Sequence, residues 1–163
     1  MNAVIRLVLA GVAALGLVIG MAHAAPPAGG DADDAAVRAY VPTDATFHGY
    51  LDATAAMAAD GKHDAAFAAE VEKISDSNEG AGMSLVAGEE AIFARHPRYA
   101  AYFKRKGLTA RDSASWAVLL PWMVMYVNPQ PGLNPGQMMS AAQMQFAKAH
   151  SAEIKAAAAN FAN

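Results

Sequence analysis

Large apolar side chains recur along this chain at helical spacing, and no stretch alternates as a half-buried strand would. Phe47, Tyr50, Leu51, Thr54 and Ala58 fall on one face of a helix that Thr43 or Asp44 caps and that closes near Asp60-Gly61, where glycine can take a left-handed cap. Phe67, Val71 and Ile74 form the narrow stripe of a second helix, from Asp64 to about Ser77, with Glu72 and Asp76 on its other face. After a break at Asn78 to Gly82, a third helix beginning near Met83 places Leu85, Ile92 and Phe93 in line. His96-Pro97 ends it, since proline lacks a donor and biases the residue before it away from helical angles, and Pro97 then suits the first turn of the next helix. That helix turns Tyr99, Tyr102 and Phe103 inward and stops at Gly107. Thr109 to Asp112 is a capping box opening another helix, and Ser140 to Gln143 opens one more, with Met139, Gln143, Phe146 and His150 on a shared face. Ser151 can recap the chain for a short closing helix carrying Ile154, Ala158 and Phe161.

The run Trp116 to Val127 breaks this periodicity by being apolar on every side and holds both tryptophans. A helix of that length reaches about 18 Å, well short of the ~30 Å hydrocarbon core of a bilayer. It must therefore be wrapped by other helices or partly covered by a partner. Pro121 removes the bond to the carbonyl of Ala117 and predicts a bend. The proline-rich segment from Asn128 to Pro135 predicts an extended connection. The expected architecture is all-α: a compact bundle of five to six short helices around this central rod.

Composition then trims the chain. Arg6, the apolar run Leu7 to Gly20 and Ala22-His23-Ala24 have the form of a cleaved signal peptide, so residues 1–24 are expected to be removed on export to the periplasm or beyond. With no cysteine, neither a lipid anchor nor a disulfide is available. Residues 25–42, with Pro26-Pro27, Gly29-Gly30 and Asp31, Asp33 and Asp34, read as a flexible leader, leaving 43–163 as a single helical domain. From Ala25 to Glu90 there are 13 acidic and 3 basic residues, and from Ala91 onward 2 acidic and 8 basic. The two halves should attract one another across helix contacts.

Candidate chemistry is sparse. No Gly-x-Ser-x-Gly, cysteine nucleophile, phosphate loop, dinucleotide fingerprint or H-x-x-x-H zinc spacing occurs, so the sequence assigns no catalytic residue, metal ligand or cofactor. His48 and Asp52 share the outer side of the first helix and read as a solvated pair. Glu72 and Asp76, one turn apart, offer a cation too few oxygens. Glu89 is the one residue that violates the binary pattern, because it points where apolar groups point. An ion pair to one of the arginines that follow is the ordinary expectation. The sharper one joins Glu89 with His96, one further step along the same face, as an acid–base or ligand pair. Arg95, Arg98, Lys104, Arg105, Lys106 and Arg111 crowd the segment after it, interleaved with Tyr99, Tyr102 and Phe103. That composition could hold an anionic surface or an acidic protein. Nucleic acid is not expected, given the net negative charge and the export signal. Met123, Met125, Met138, Met139 and Met144, with Trp122 and His150 nearby in sequence, could hold Cu(I), although methionine is a common core gap-filler.

Phe93 to Asp112 (FARHPRYAAYFKRKGLTARD), the apolar helix after it, the proline-rich connection and the closing QFAKAHSAEI from Gln145 to Ile154 together resemble a group of small uncharacterised secreted helical proteins of Gram-negative bacteria. The resemblance covers about the last two thirds of the chain after the signal segment, and it rests on a few short elements. It implies a helical bundle outside the cytoplasm and carries over no functional residue. The first functional expectation is a non-catalytic binding or interaction module. A small enzyme or ligand site on Glu89 and His96 comes second, and a Met/His copper-handling protein third.

Overall fold

The computed structural model describes residues 30–76, 83–129 and 134–162. The signal segment expected over 1–24 lies outside them, as does the glycine-rich break at 78–82. The described residues form an all-α bundle with no strand. Its helices are α1 (Gly30–Ala39), α2 (Asp44–Gly61), α3 (Ala65–Asp76), α4 (Leu85–Arg95), α5 (Pro97–Lys104), α6 (Ala110–Val127), α7 (Ala141–Ala149) and α8 (Ser151–Ala162), with one 3-10 turn at Pro135–Gln137. That is more than the five to six expected. The breaks at Pro97 and Ser151 fall where the sequence places them, and α1 is an additional helix within the segment expected as leader.

Caps set most boundaries. Thr43 and Thr46 form a capping box at the start of α2, Thr109 and Asp112 one at α6, and Ser140 and Gln143 one at α7. Asp64 accepts from the Phe67 amide at 2.9 Å ahead of α3, and Ser84 from the Ala87 amide at 3.3 Å ahead of α4. These contacts satisfy amides that the first turn of a helix leaves without partners. Gly107, at φ 74, is the left-handed residue that ends the turn after α5. Gly61 is not a left-handed cap: it is the last residue of α2, and Lys62 continues right-handed at φ −70.

Helix α6 is the axis of the bundle, in contact with α1, α2, α4, α5, α7 and α8. Its Trp116, Leu119, Leu120, Trp122 and Met123 are buried, while Val124 to Val127 are half-buried and pack against the core. The rod is thus wrapped over its first turns and only partly covered at its end. The Trp116 indole sits among Tyr40, Phe47, Tyr50 and Phe146, with ring centroids 5.2 to 6.4 Å away. Its Nε1 is buried with no hydrogen-bond partner among the described residues. The helix continues through Pro121.

Part of the segment expected as leader, from Gly30 onward, is built into the bundle. Residues Gly30–Ala39 are helical, and Val37 and Tyr40 are buried in the core. The fully buried Gln143 amide donates to the carbonyls of Val37 at 2.7 Å and Tyr40 at 2.8 Å, and the Tyr40 hydroxyl donates to Asp112 at 3.0 Å. Two apolar side chains and these bonds offset the ordering entropy that the composition of this segment alone could not.

The acidic and basic halves do meet. Asp64 pairs with Arg98 at 2.7 Å, Asp52 with Lys106 at 2.9 Å, and Glu70 faces His96 at 3.2 Å. Tyr102, from the basic half, donates to Asp60 at 2.5 Å.

Candidate functional site

Among the described residues, three groups of side chains could carry chemistry. The first surrounds Glu89, which α4 turns against the opening turn of α6. The carboxylate is buried and accepts from Ser113 Oγ at 2.7 Å and, more weakly, from the Tyr99 hydroxyl at 3.4 Å. Burial raises the Glu89 pKa above the ordinary carboxylate range, and the bonds from Ser113 and Tyr99 only partly offset it. No arginine among the described residues pairs with it, because Arg95, Arg98, Arg105 and Arg111 all lie at exposed positions. Ser113, in the first turn of a capped helix, supplies the donor instead. His96 does not join Glu89; its Nδ1 lies 3.2 Å from Glu70 Oε1. The two members of the expected acid–base pair therefore have different partners.

The second group is the basic segment. Arg98 bonds to Asp64 and stands over the Phe67 ring at 4.2 Å, and Lys106 bonds to Asp52. Arg105 lies over Tyr102 at 4.7 Å and donates to the Ala101 carbonyl at 3.2 Å. Tyr102 and Phe103 are buried and Tyr99 half-buried, so these aromatic rings pack the core rather than extend a contact surface. Arg95 and Arg111 are exposed.

The methionines of the expected copper site are core residues. Met123 and Met139 are enclosed, and Met125, Met138 and Met144 are half-buried against them. His150 serves a different cluster.

That cluster is the third group, and sequence spacing did not reveal it. Helix α2 contributes Asp44 and His48, the α7–α8 junction His150, and the first turn of α8 Glu153. His48 Nε2 lies 2.7 Å from Glu153 Oε2, and His150 Nδ1 lies 2.9 Å from Glu153 Oε1. The other ring nitrogen of His150 is 3.2 Å from Asp44 Oδ1. One ligand atom from each of His48, His150 and Glu153 lies within 4.8 Å of the others. The hydrogen bond to His48, then that to His150, holds the Glu153 carboxyl below its usual pKa. The His150 ring stacks on Phe146 at 4.2 Å and meets Phe47 at 5.6 Å, which fixes its plane. His48 and Asp52, expected as one solvated pair, turn to Glu153 and Lys106 respectively. A faint signal existed, since Asp44 and His48 are one turn apart on a predicted helix. Their partners lie about a hundred positions away, beyond the reach of any local pattern.

Set against known proteins, the chain matches no family model, no curated protein and no solved structure.

Proposed function

We propose that this protein is an exported, non-catalytic binding module. The observation that carries the reading is the separation of Glu89 from His96. Glu89 is spent on Ser113 and Tyr99 inside the bundle and His96 on Glu70. A catalytic acid must reach the proton it moves, and a carboxyl enclosed in this way is placed for packing α4 on α6. An accessible group of polar side chains gathers instead around Glu153. The export signal, the lack of cysteine and the resemblance to small secreted helical proteins support action outside the cytoplasm. No helix among the described residues is long and apolar enough to cross a membrane.

Native mass spectrometry of the protein purified from its own cells tests both parts. The expected spectrum shows a chain beginning after Ala24 with a retained non-protein ligand, unchanged in amount by Glu89→Gln or His96→Gln. An unprocessed amino terminus would remove the export reading. Ligand loss in either variant with the fold intact would restore the site on Glu89 and His96.

An anionic surface or acidic protein is the second reading. Lys104, Arg105 and Arg111 are exposed and have no acidic partner among the described residues. Binding of anionic vesicles that persists unchanged in 0.5 M salt would contradict an electrostatic origin.

A further inference from the structure

We infer that His48, His150 and Glu153 form a binding site for a divalent transition-metal ion, with zinc as the best-fitting member of the class. The inference rests on the binding-module reading and names its ligand. Two imidazoles and one carboxylate are a borderline-soft donor set, suited to zinc, nickel or copper(II). Magnesium and calcium require oxygen donors in larger number. Four-coordinate zinc with bonds of about 2.0–2.1 Å sets its donors about 3.4 Å apart. Here the carboxylate lies 2.7 Å from His48 Nε2 and 2.9 Å from His150 Nδ1, and all three ligand atoms fall within 4.8 Å. Widening the two imidazole–carboxylate gaps and drawing the widest-spaced donors together would admit the ion.

A chance meeting of exposed charges would lack the support seen behind His150. Its Nε2 lies 3.2 Å from Asp44 Oδ1, so a carboxylate stands behind the ring on the side away from Glu153. Metal-ligating histidines are commonly backed by such a carboxylate. The Phe146 stack restricts the ring to that orientation. Three protein ligands leave one position of a tetrahedral ion open, and His48 and Glu153, 52% and 48% exposed, leave it facing solvent. A metal ion competes with protons for such donor atoms, so its affinity weakens as pH falls.

The experiment is calorimetric titration of the purified, EDTA-stripped full chain with zinc, nickel, copper(II) and magnesium chlorides separately. One zinc per chain is expected, with no magnesium uptake. His150→Ala could unpack Phe146, so the deciding variants are His48→Gln and Glu153→Gln, each half-exposed. Both should weaken zinc binding about 100-fold or more with unchanged circular dichroism, and Asp44→Asn should weaken it about 10-fold. Absence of saturable uptake of zinc, nickel and copper, or affinity unchanged in both deciding variants, would overturn the site. If zinc uptake fails while native spectra retain another ligand, the metal site falls alone. If zinc binds but the protein proves catalytic, the site stands and the non-catalytic reading falls.

Discussion

Glu89 is a carboxyl held inside a helical core without a cation, and the consequences can be measured. Its pKa is raised by burial, so the unfolded chain loses this proton first as pH rises, and the folded state loses stability through that window. Glu89→Gln keeps an acceptor for Ser113 but cannot ionise. It should therefore be more stable than the natural chain at pH 8, by about 1–3 kcal/mol, with the gap closing toward pH 4. Urea denaturation at the two pH values measures this, and an equal difference at both would refute the buried-charge account. Glu89→Ala should destabilise at either pH, because Ser113 and Tyr99 lose their acceptor. The anomaly at Glu89 was visible in sequence, as a charge on an apolar stripe. Its partner was not, since Ser113 is a small residue 24 positions away that looks like any helix serine until α4 and α6 are packed. The His48 and Glu153 partnership was less visible still, because exposed histidines carry no pattern of their own.

Between elements, much of the order comes from polar side chains that close helix ends. Gln143 has two roles: its Oε1 accepts from the Ser140 amide at 2.9 Å, and its NH2 donates to Val37 and Tyr40 at the end of α1. Gln143→Ala should cost about 1–3 kcal/mol by leaving buried carbonyls without donors, and it should loosen α1 before the rest of the bundle. Trypsin cleavage after the exposed Arg38 is the readout: faster cutting is expected, and an unchanged rate would show that Val37 and Tyr40 alone hold the helix. Thr109→Ala tests the cap of the axial helix. Loss of its bond from the Asp112 amide should lower stability by about 0.5–2 kcal/mol in urea, while Thr109→Ser should retain most of it. These caps could be read in sequence because a capping box lies within four residues. The docking of α1 could not, since local composition reports only the acidic and glycine-rich residues and not the amide of Gln143, which is 106 positions from Val37.

At the scale of the molecule, the charge asymmetry between the halves becomes a set of cross-links, and the tyrosines at the centre set a different limit. All-α architecture was legible because period and caps agree along most of the chain; which helix pairs with which depends on contacts that no window contains. The pH dependence of stability brings these groups together. Asp64, whose pKa is lowered by the Phe67 amide and then Arg98, and Glu153, lowered by His48 and then His150, contribute stability above their unfolded pKa values that is lost as pH falls through the folded ones. At the other end, burial pushes Tyr40 up to about 12 and raises Tyr50 and Tyr99 as well, with the Glu89 charge adding to the last two. Unfolded tyrosines ionise near 10, so above about pH 10 the unfolded chain gives up protons that the folded core keeps, and stability falls. Glu89 tilts the region between these limits downward as pH rises. The urea midpoint should therefore peak at mildly acidic pH, fall on the acid side as the Asp64 and Glu153 carboxylates protonate, and fall steeply again above about pH 10. Tyr50→Phe should shallow the alkaline fall while leaving the acid one in place, because it removes one buried phenol and no carboxylate. A midpoint that holds level from pH 9 to 11 would mean that these phenols reach water in the folded state, and the core drawn around Trp116 would have to be looser than its buried rings indicate.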